Sequence, residues 1–174
     1  MSVKDHDRGY AKIVAAQRKL KGKALTVGYH GDSEPYQKGQ EEPITVPQVA
    51  AVHEFGSKNG RIPPRPTMRP TVDAKRNEYL RLAERLLRQA EMGEIDLDTA
   101  LGRLGVKVQA DIKKAIVDLQ TPELAEGTIR KKKQRAGSTL APGQAVQGDD
   151  VSFDTGNPLI DTGQMLNSVT WRVK

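Results

Sequence analysis

The 174-residue sequence has no cysteine, which excludes disulfide cross-links, thiolate zinc sites and a thiol nucleophile. Aromatic residues are scarce, with two Phe, one Trp and four Tyr, and apolar residues of all kinds make up 36%. Even with glycine counted, the apolar share falls just short of the usual globular range. One modest core is expected, and part of the chain must lie outside it. No apolar run approaches the ~18 residues of a membrane span, and no apolar leader segment follows Met1. The sequence therefore reads as soluble and cytosolic, with no membrane partner.

Catalytic signatures are lacking as well. No dinucleotide fingerprint or phosphate loop occurs; Gly56-Ser57-Lys58-Asn59-Gly60 has neither the leading glycine spacing nor the Lys-Ser/Thr pair. No nucleophile-elbow pattern frames a serine. His53-Glu54 opens like the metalloprotease helix motif, but the second histidine, needed four residues on, is absent and the position is Ser57. His6 and His30 fall in expected loops with no carboxylates arranged around them. We read no catalytic residue, no metal site, no cofactor and no small-molecule substrate.

What is present is charge, 28 Lys and Arg against 22 Asp and Glu, a net of +6. A basic balance invites a nucleic-acid reading, although both signs are mixed along the chain as on any well-solvated surface. The densest run is Arg130-Lys131-Lys132-Lys133-Gln134-Arg135. Phosphate contact needs only positive charge and reach, so DNA is one partner for this run and an acidic face of a neighbouring subunit is another. No aromatics are interleaved to stack a single strand.

Apolar spacing and the breakers outline the fold. Residues 7–21 carry Tyr10, Ile13, Val14 and Leu20 at weak helical spacing and predict a first helix. Residues 24–29 are short, apolar and β-branched, a strand. Residues 31–47 predict a long exposed loop. Val49, Ala50, Val52 and Phe55 place a short helix over 46–55, ended by Gly56. A long helix over 70–92 has Asp73 near its positive end and a stripe of Val72, Tyr79, Leu80, Ala83, Leu86, Leu87 and Ala90. A second, over 96–119, follows Leu97, Leu101, Leu104, Val108, Ile112, Ile116 and Leu119, with Asp96 or Asp98 as N-cap. Its Gly102 and Gly105 predict a close helix crossing, and its Asp111 and Asp118 a solvated face.

Pro122 interrupts, and a helical turn is expected over 124–132. Residues 134–157 are polar and predict a second excursion, mobile in a free monomer. Residues 168–173 alternate as a strand that pairs with 24–29. The expected fold is a single α+β domain over 1–174. It has a small antiparallel sheet packed against two long amphipathic helices, with long extended loops at about 31–47 and 134–157.

The segment Arg61-Ile62-Pro63-Pro64-Arg65-Pro66-Thr67-Met68-Arg69-Pro70 must be extended, because each proline fixes its own φ and biases the residue before it. A stiff strut carrying three arginines suits an interface, with Arg61, Ile62, Pro63, Pro64, Arg65, Pro66, Met68 and Arg69 as contact residues. It also serves as a connector covering the next helix; an SH3-type ligand fits less well between two folded elements. Residues 36–46 and 130–151 are further interface candidates.

Val49-Ala50-Ala51-Val52-His53-Glu54-Phe55-Gly56, followed by Ile62-Pro63-Pro64-Arg65-Pro66 and Met68-Arg69-Pro70, resembles the neck, head–tail joining and tail-completion (minor tail) proteins of tailed bacteriophages and prophages. Asn157-Pro158-Leu159-Ile160-Asp161-Thr162-Gly163, then Met165 and Asn167-Ser168-Val169, looks like the closing segment of that family. Thr128-Ile129 and the basic residues after it fit the stretch before. These motifs span most of 49–173; the N-terminal third and residues 137–154 are not covered.

The resemblance implies a virion structural subunit without catalytic activity, assembled in the host cytoplasm. It would form a ring at the head–tail junction or the top of the tail, joining head and tail around the DNA path. Its partners would be copies of itself and other neck, connector and tail proteins, with non-specific contact to passing DNA. In that setting His53, Glu54, Phe55 and Gly56 anchor structure, with Phe55 packed and Gly56 turning the chain. Asp161, Thr162 and Gly163 form a turn or cap leading into the last helix-to-strand element. The rival readings are a DNA-binding protein using residues 130–135 and an enzyme using His53 and Glu54 as acid and base.

Overall fold

Two five-residue strands, far apart in sequence, are neighbours in space. β1 (Leu25–Tyr29) and β2 (Val169–Val173) pair antiparallel with Val27 opposite Trp171. Reciprocal 2.9 Å backbone bonds between Ala24 and Lys174 extend the ladder. Between the strands come α1 (Val46–Phe55), α2 (Met68–Glu91), α3 (Leu97–Asp118) and α4 (Gln164–Ser168), with a further helical turn over 126–131. This computed structural model describes residues 22–32, 44–131, 157–160 and 163–174. The helix expected over 7–21 and most of both excursions lie outside the described residues.

α3 is the central element. Asp96 caps it, accepting from the Asp98 amide at 2.9 Å. One flank of α3 meets α2, and another meets the sheet. On the sheet side Gly102 and Gly105 lie beneath Trp171: a Cβ at Gly105 would stand 2.7 Å from the indole Cγ, and one at Gly102 3.0 Å from Cη2. The glycines expected to mark a helix crossing instead admit an indole from β2.

The core gathers Val46 and Ala50 of α1, Ile112 and Ile116 of α3, Leu159 and Ile160, Met165 of α4 and Val169 of β2. Each Val, Leu, Ile or Met among them stabilises the fold by about 1.5–3 kcal/mol on full burial. The long loop predicted through residue 47 therefore ends sooner. Thr45 and Gln48 form a capping box that starts α1 at Val46, whose side chain is wholly buried. The far end of the other excursion is corrected in the same way, since Asn157 is only 1% exposed.

α2 buries a narrower stripe than its spacing predicts. Tyr79 and Leu86 are buried, whereas Val72 and Leu80 are exposed, because α3 is the principal neighbour along α2's length. Asp111, expected on a solvated face, is buried between the two helices. Its carboxylate accepts from Lys75 Nζ at 2.7 Å, Lys107 Nζ at 3.0 Å and Tyr79 Oη at 3.0 Å. Burial alone pushes the Asp111 carboxyl up, but the bonds from Lys75, Lys107 and Tyr79 outweigh it and hold it below the usual carboxylate range. Asp118 does remain in solvent, paired with Lys114 at 2.7 Å.

Candidate functional site

The proline strut folds into a buckle across the end of α1. Gly56 ends that helix with its amide on Val52 O at 2.8 Å and its φ at +82°. A Cβ there would also lie 3.2 Å from both Ile62 O and Pro64 Cδ, so the position requires glycine. The chain turns through Ser57 to Ile62, each of these two donating to the other: Ser57 N to Ile62 O at 3.0 Å and Ile62 N to Ser57 Oγ at 2.8 Å. Asn59 Oδ1 closes the turn by accepting from the Ser57 hydroxyl and the Arg61 amide. Pro63 and Pro64 have no N–H to satisfy, and Arg65 N then donates to His53 O at 2.6 Å.

Glu54 fastens the buckle to α2. Its Oε2 accepts from Thr67 N at 2.8 Å and Met68 N at 3.1 Å, and its Oε1 from Arg69 N at 2.8 Å. α2 begins with no side-chain cap of its own and no acidic residue in its first turn. A carboxylate from α1 therefore satisfies amides that a helix start leaves without partners, at the positive end of the helix dipole. The local aid expected from Asp73 is not what caps this helix.

Two side chains exchange the places expected of them. Phe55, expected to pack, is 68% exposed, with the Arg69 guanidinium 5.9 Å above its ring. It closes the last turn of α1 away from the face that buries Val46 and Ala50. Arg65, expected at an interface, is 4% exposed and turned inward, its Nε donating to Pro122 O and its Nη2 to Glu123 O, both at 2.9 Å. It ties the strut to the chain just beyond α3. Of the other strut residues, Arg61, Ile62, Pro64, Pro66 and Arg69 are exposed, while Pro63 and Met68 are half-buried.

A second latch holds the closing segment. Asn157 Nδ2 donates to Ile116 O at 3.1 Å and Val117 O at 2.7 Å, while its Oδ1 accepts from Leu159 N at 2.8 Å and Ile160 N at 3.2 Å. One amide side chain thus serves orphan carbonyls at the end of α3 and fixes Leu159 and Ile160 over the core. Gly163, in the left-handed region at φ +72°, precedes α4 without a side-chain cap, and Asp161 and Thr162 lie outside the described residues. Arg130 and Lys131 are exposed on the 126–131 turn; Lys132, Lys133 and Arg135 lie outside the described residues.

No protein-family model, curated protein or solved structure matches this chain. Its candidate site is therefore defined by geometry: exposed Phe55, Lys58, Arg61, Ile62 and Arg69 on a buckle whose Glu54, Ser57, Asn59 and Arg65 side chains are engaged inside the subunit. Both oxygens of Glu54 are occupied by backbone amides. Among the described residues, no group of three or more His, Asp or Glu side chains is placed to hold a metal ion. No described helix is long and apolar enough to cross a membrane.

His30, expected in a loop, lies beside the sheet, where its ring nitrogens bridge the hydroxyls of Thr26 at 3.2 Å and Thr170 at 2.9 Å. Burial, and then the charge of Arg172, lowers its pKa from the ordinary histidine value. Sequence reasoning missed the Glu54 cap: Thr67, directly before Met68-Arg69-Pro70, is itself an N-cap residue type, yet its side chain makes no cap bond and the acceptor comes from α1. No local signal marked Asn157 as a latch.

Proposed function

We propose that this chain is a structural subunit of a ring at the head–tail junction, or the top of the tail, of a tailed bacteriophage. Its work is done by interfaces, without catalysis. The observation that carries this reading is the buckle. The residues that resemble the neck and tail-completion family spend Glu54, Arg65 and the strut backbone on internal rigidity, and turn Phe55, Ile62, Arg61 and Arg69 outward. An exposed phenylalanine with an arginine over its ring, on a scaffold this firmly fastened, has the composition of a protein–protein anchor. The other resembling segment supports the same reading, since Asn157 latches it to the end of α3.

Partners on this reading are copies of the chain and other neck, connector and tail proteins, and the location is the virion. Native mass spectrometry and negative-stain imaging of the purified chain are expected to find closed rings. Phage particles lacking the protein are expected to accumulate as separate heads and tails. Normal joining of heads to tails in its absence would overturn the proposal.

A further inference from the structure

We propose that copies of this chain join head to tail, the Phe55 end of α2 in one copy docking on the α2–α3 turn, residues 91–98, of the next. The inference rests on the ring reading above and names the surfaces that would build the ring.

The two most exposed large hydrophobic side chains among the described residues are Phe55, at 68%, and Met92, at 65%. They sit at opposite ends of α2: Phe55 against Arg69 in its first turn, Met92 as its C-terminal cap residue. A helix of 24 residues separates those ends by about 36 Å at 1.5 Å per residue. Heterologous assembly requires two different, mutually complementary surfaces on each subunit, and these two are well separated.

Their charges are opposite. Residues 54–69 carry four cations, Lys58, Arg61, Arg65 and Arg69, against one carboxylate, Glu54. Residues 88–98 carry four carboxylates, Glu91, Glu94, Asp96 and Asp98, against one cation, Arg88. Several of these groups are already committed within the subunit: Glu54 and Arg65 in the buckle, Asp96 as the α3 cap and Asp98 to Lys23. What remains is Lys58, Arg61 and Arg69 at one end and Glu91 and Glu94 at the other, none in an ion pair with a described residue. Docking the two ends sets Met92 against Phe55, a favourable sulfur–aromatic contact, inside a rim of opposite charges. A symmetric contact of the Phe55 end with itself would instead set Arg61 and Arg69 against their own copies. Charge thus selects the head-to-tail arrangement.

The absence of native cysteine gives a clean test on the full-length chain. Ala51→Cys and Thr99→Cys single variants, at exposed positions flanking the two surfaces and leaving Phe55 and Met92 in place, are mixed and treated with a short bis-maleimide. The expected product is the mixed dimer, bridged from position 51 of one copy to position 99 of the other, with either variant alone giving little. The double variant is expected to cross-link into a ladder ending at the closed ring. Arg61→Glu is expected to weaken assembly at least tenfold and Glu94→Arg to do the same, while their combination restores it. The Arg61 side chain is exposed and makes no hydrogen bond or ion pair with a described residue, so this variant keeps the fold. Rising salt is expected to weaken assembly. If native mass spectrometry finds rings but the mixed cross-link is absent and Arg61→Glu assembles normally, the docking proposal fails and the ring reading stands. If the wild-type chain stays monomeric at every concentration, both fail.

Discussion

Replacing Glu54 by Ala tests whether one carboxylate holds α1, the strut and α2 together. Three backbone amides, those of Thr67, Met68 and Arg69, lose their acceptor. Loss of an N-cap costs about 1 kcal/mol. The Thr67 amide belongs to a buried residue, and leaving it without a partner adds about 1–3 kcal/mol. The Arg69 amide is at an exposed position, where water takes over. The expected loss is therefore about 2–4 kcal/mol, which for a chain of this size lowers Tm by roughly 5–15 °C. Glu54→Gln keeps one acceptor oxygen but presents an NH2 group to the remaining amide, so about half of the effect is expected. Thermal melts followed by far-UV circular dichroism give the order wild type, Gln, Ala. A Glu54→Ala protein melting within about 1 °C of wild type would refute the reasoning, because buried amides cannot lose a carboxylate at so little cost.

Gly105→Ala places a methyl 2.7 Å from Trp171 Cγ and 2.9 Å from its Cβ, so β2 must move; overpacking of about 1–3 kcal/mol should exceed the ~1 kcal/mol of helix propensity gained. Trp171 is the sole tryptophan, and its fluorescence maximum reports the displacement directly. Asn157→Ala should cost about 2–4 kcal/mol in urea unfolding, since it breaks four hydrogen bonds at a buried residue. Asn157→Asp should cost at least as much, because a carboxylate cannot donate to the two carbonyls at the negative end of α3. Asp111→Asn should reshape the acid limb of the stability curve. The carboxyl is held below its ordinary value when folded, so its contribution is complete above the unfolded pKa of about 3.9 and drains away as pH falls through the folded value. The variant should lose about 1–2 kcal/mol at neutral pH, both lysines remaining partly in water, and show a shallower decline below pH 4.

What sequence made legible was what depends on near neighbours. The steps of three and four from Leu97 to Ile116, Asp96 ahead of them and Gly56 behind Phe55 are local facts, and α1, α3 and the strand pair followed from them. What stayed hidden depends on partners supplied from a distance. Arg65 looks like a surface residue until two carbonyls beyond α3 receive it. Asp111 looks solvated until Lys75 and Tyr79 arrive from another helix. Leu80 and Val72 look like core residues because their spacing is right, but the neighbouring helix covers only a narrower stripe. In the candidate site, the motif His53-Glu54-Phe55-Gly56 was readable as a unit, while the direction each side chain takes was not.

The pairing of β1 with β2 fixes an order of events in the making of the protein. A ribosome that has delivered β1 and all of α1, α2 and α3 has produced a chain whose first strand has no partner and whose Gly102–Gly105 surface lacks its indole. Contacts such as that between His30 and Thr170 span 140 positions, and separations of that size make closure slow as well as late. Val169 and Met165, which complete the core, arrive in the same late stretch. Folding to completion thus waits on synthesis: until β2 emerges, the nascent chain is an unsealed body, exposed to chaperones and proteases, and it seals only once that strand has cleared the ribosome.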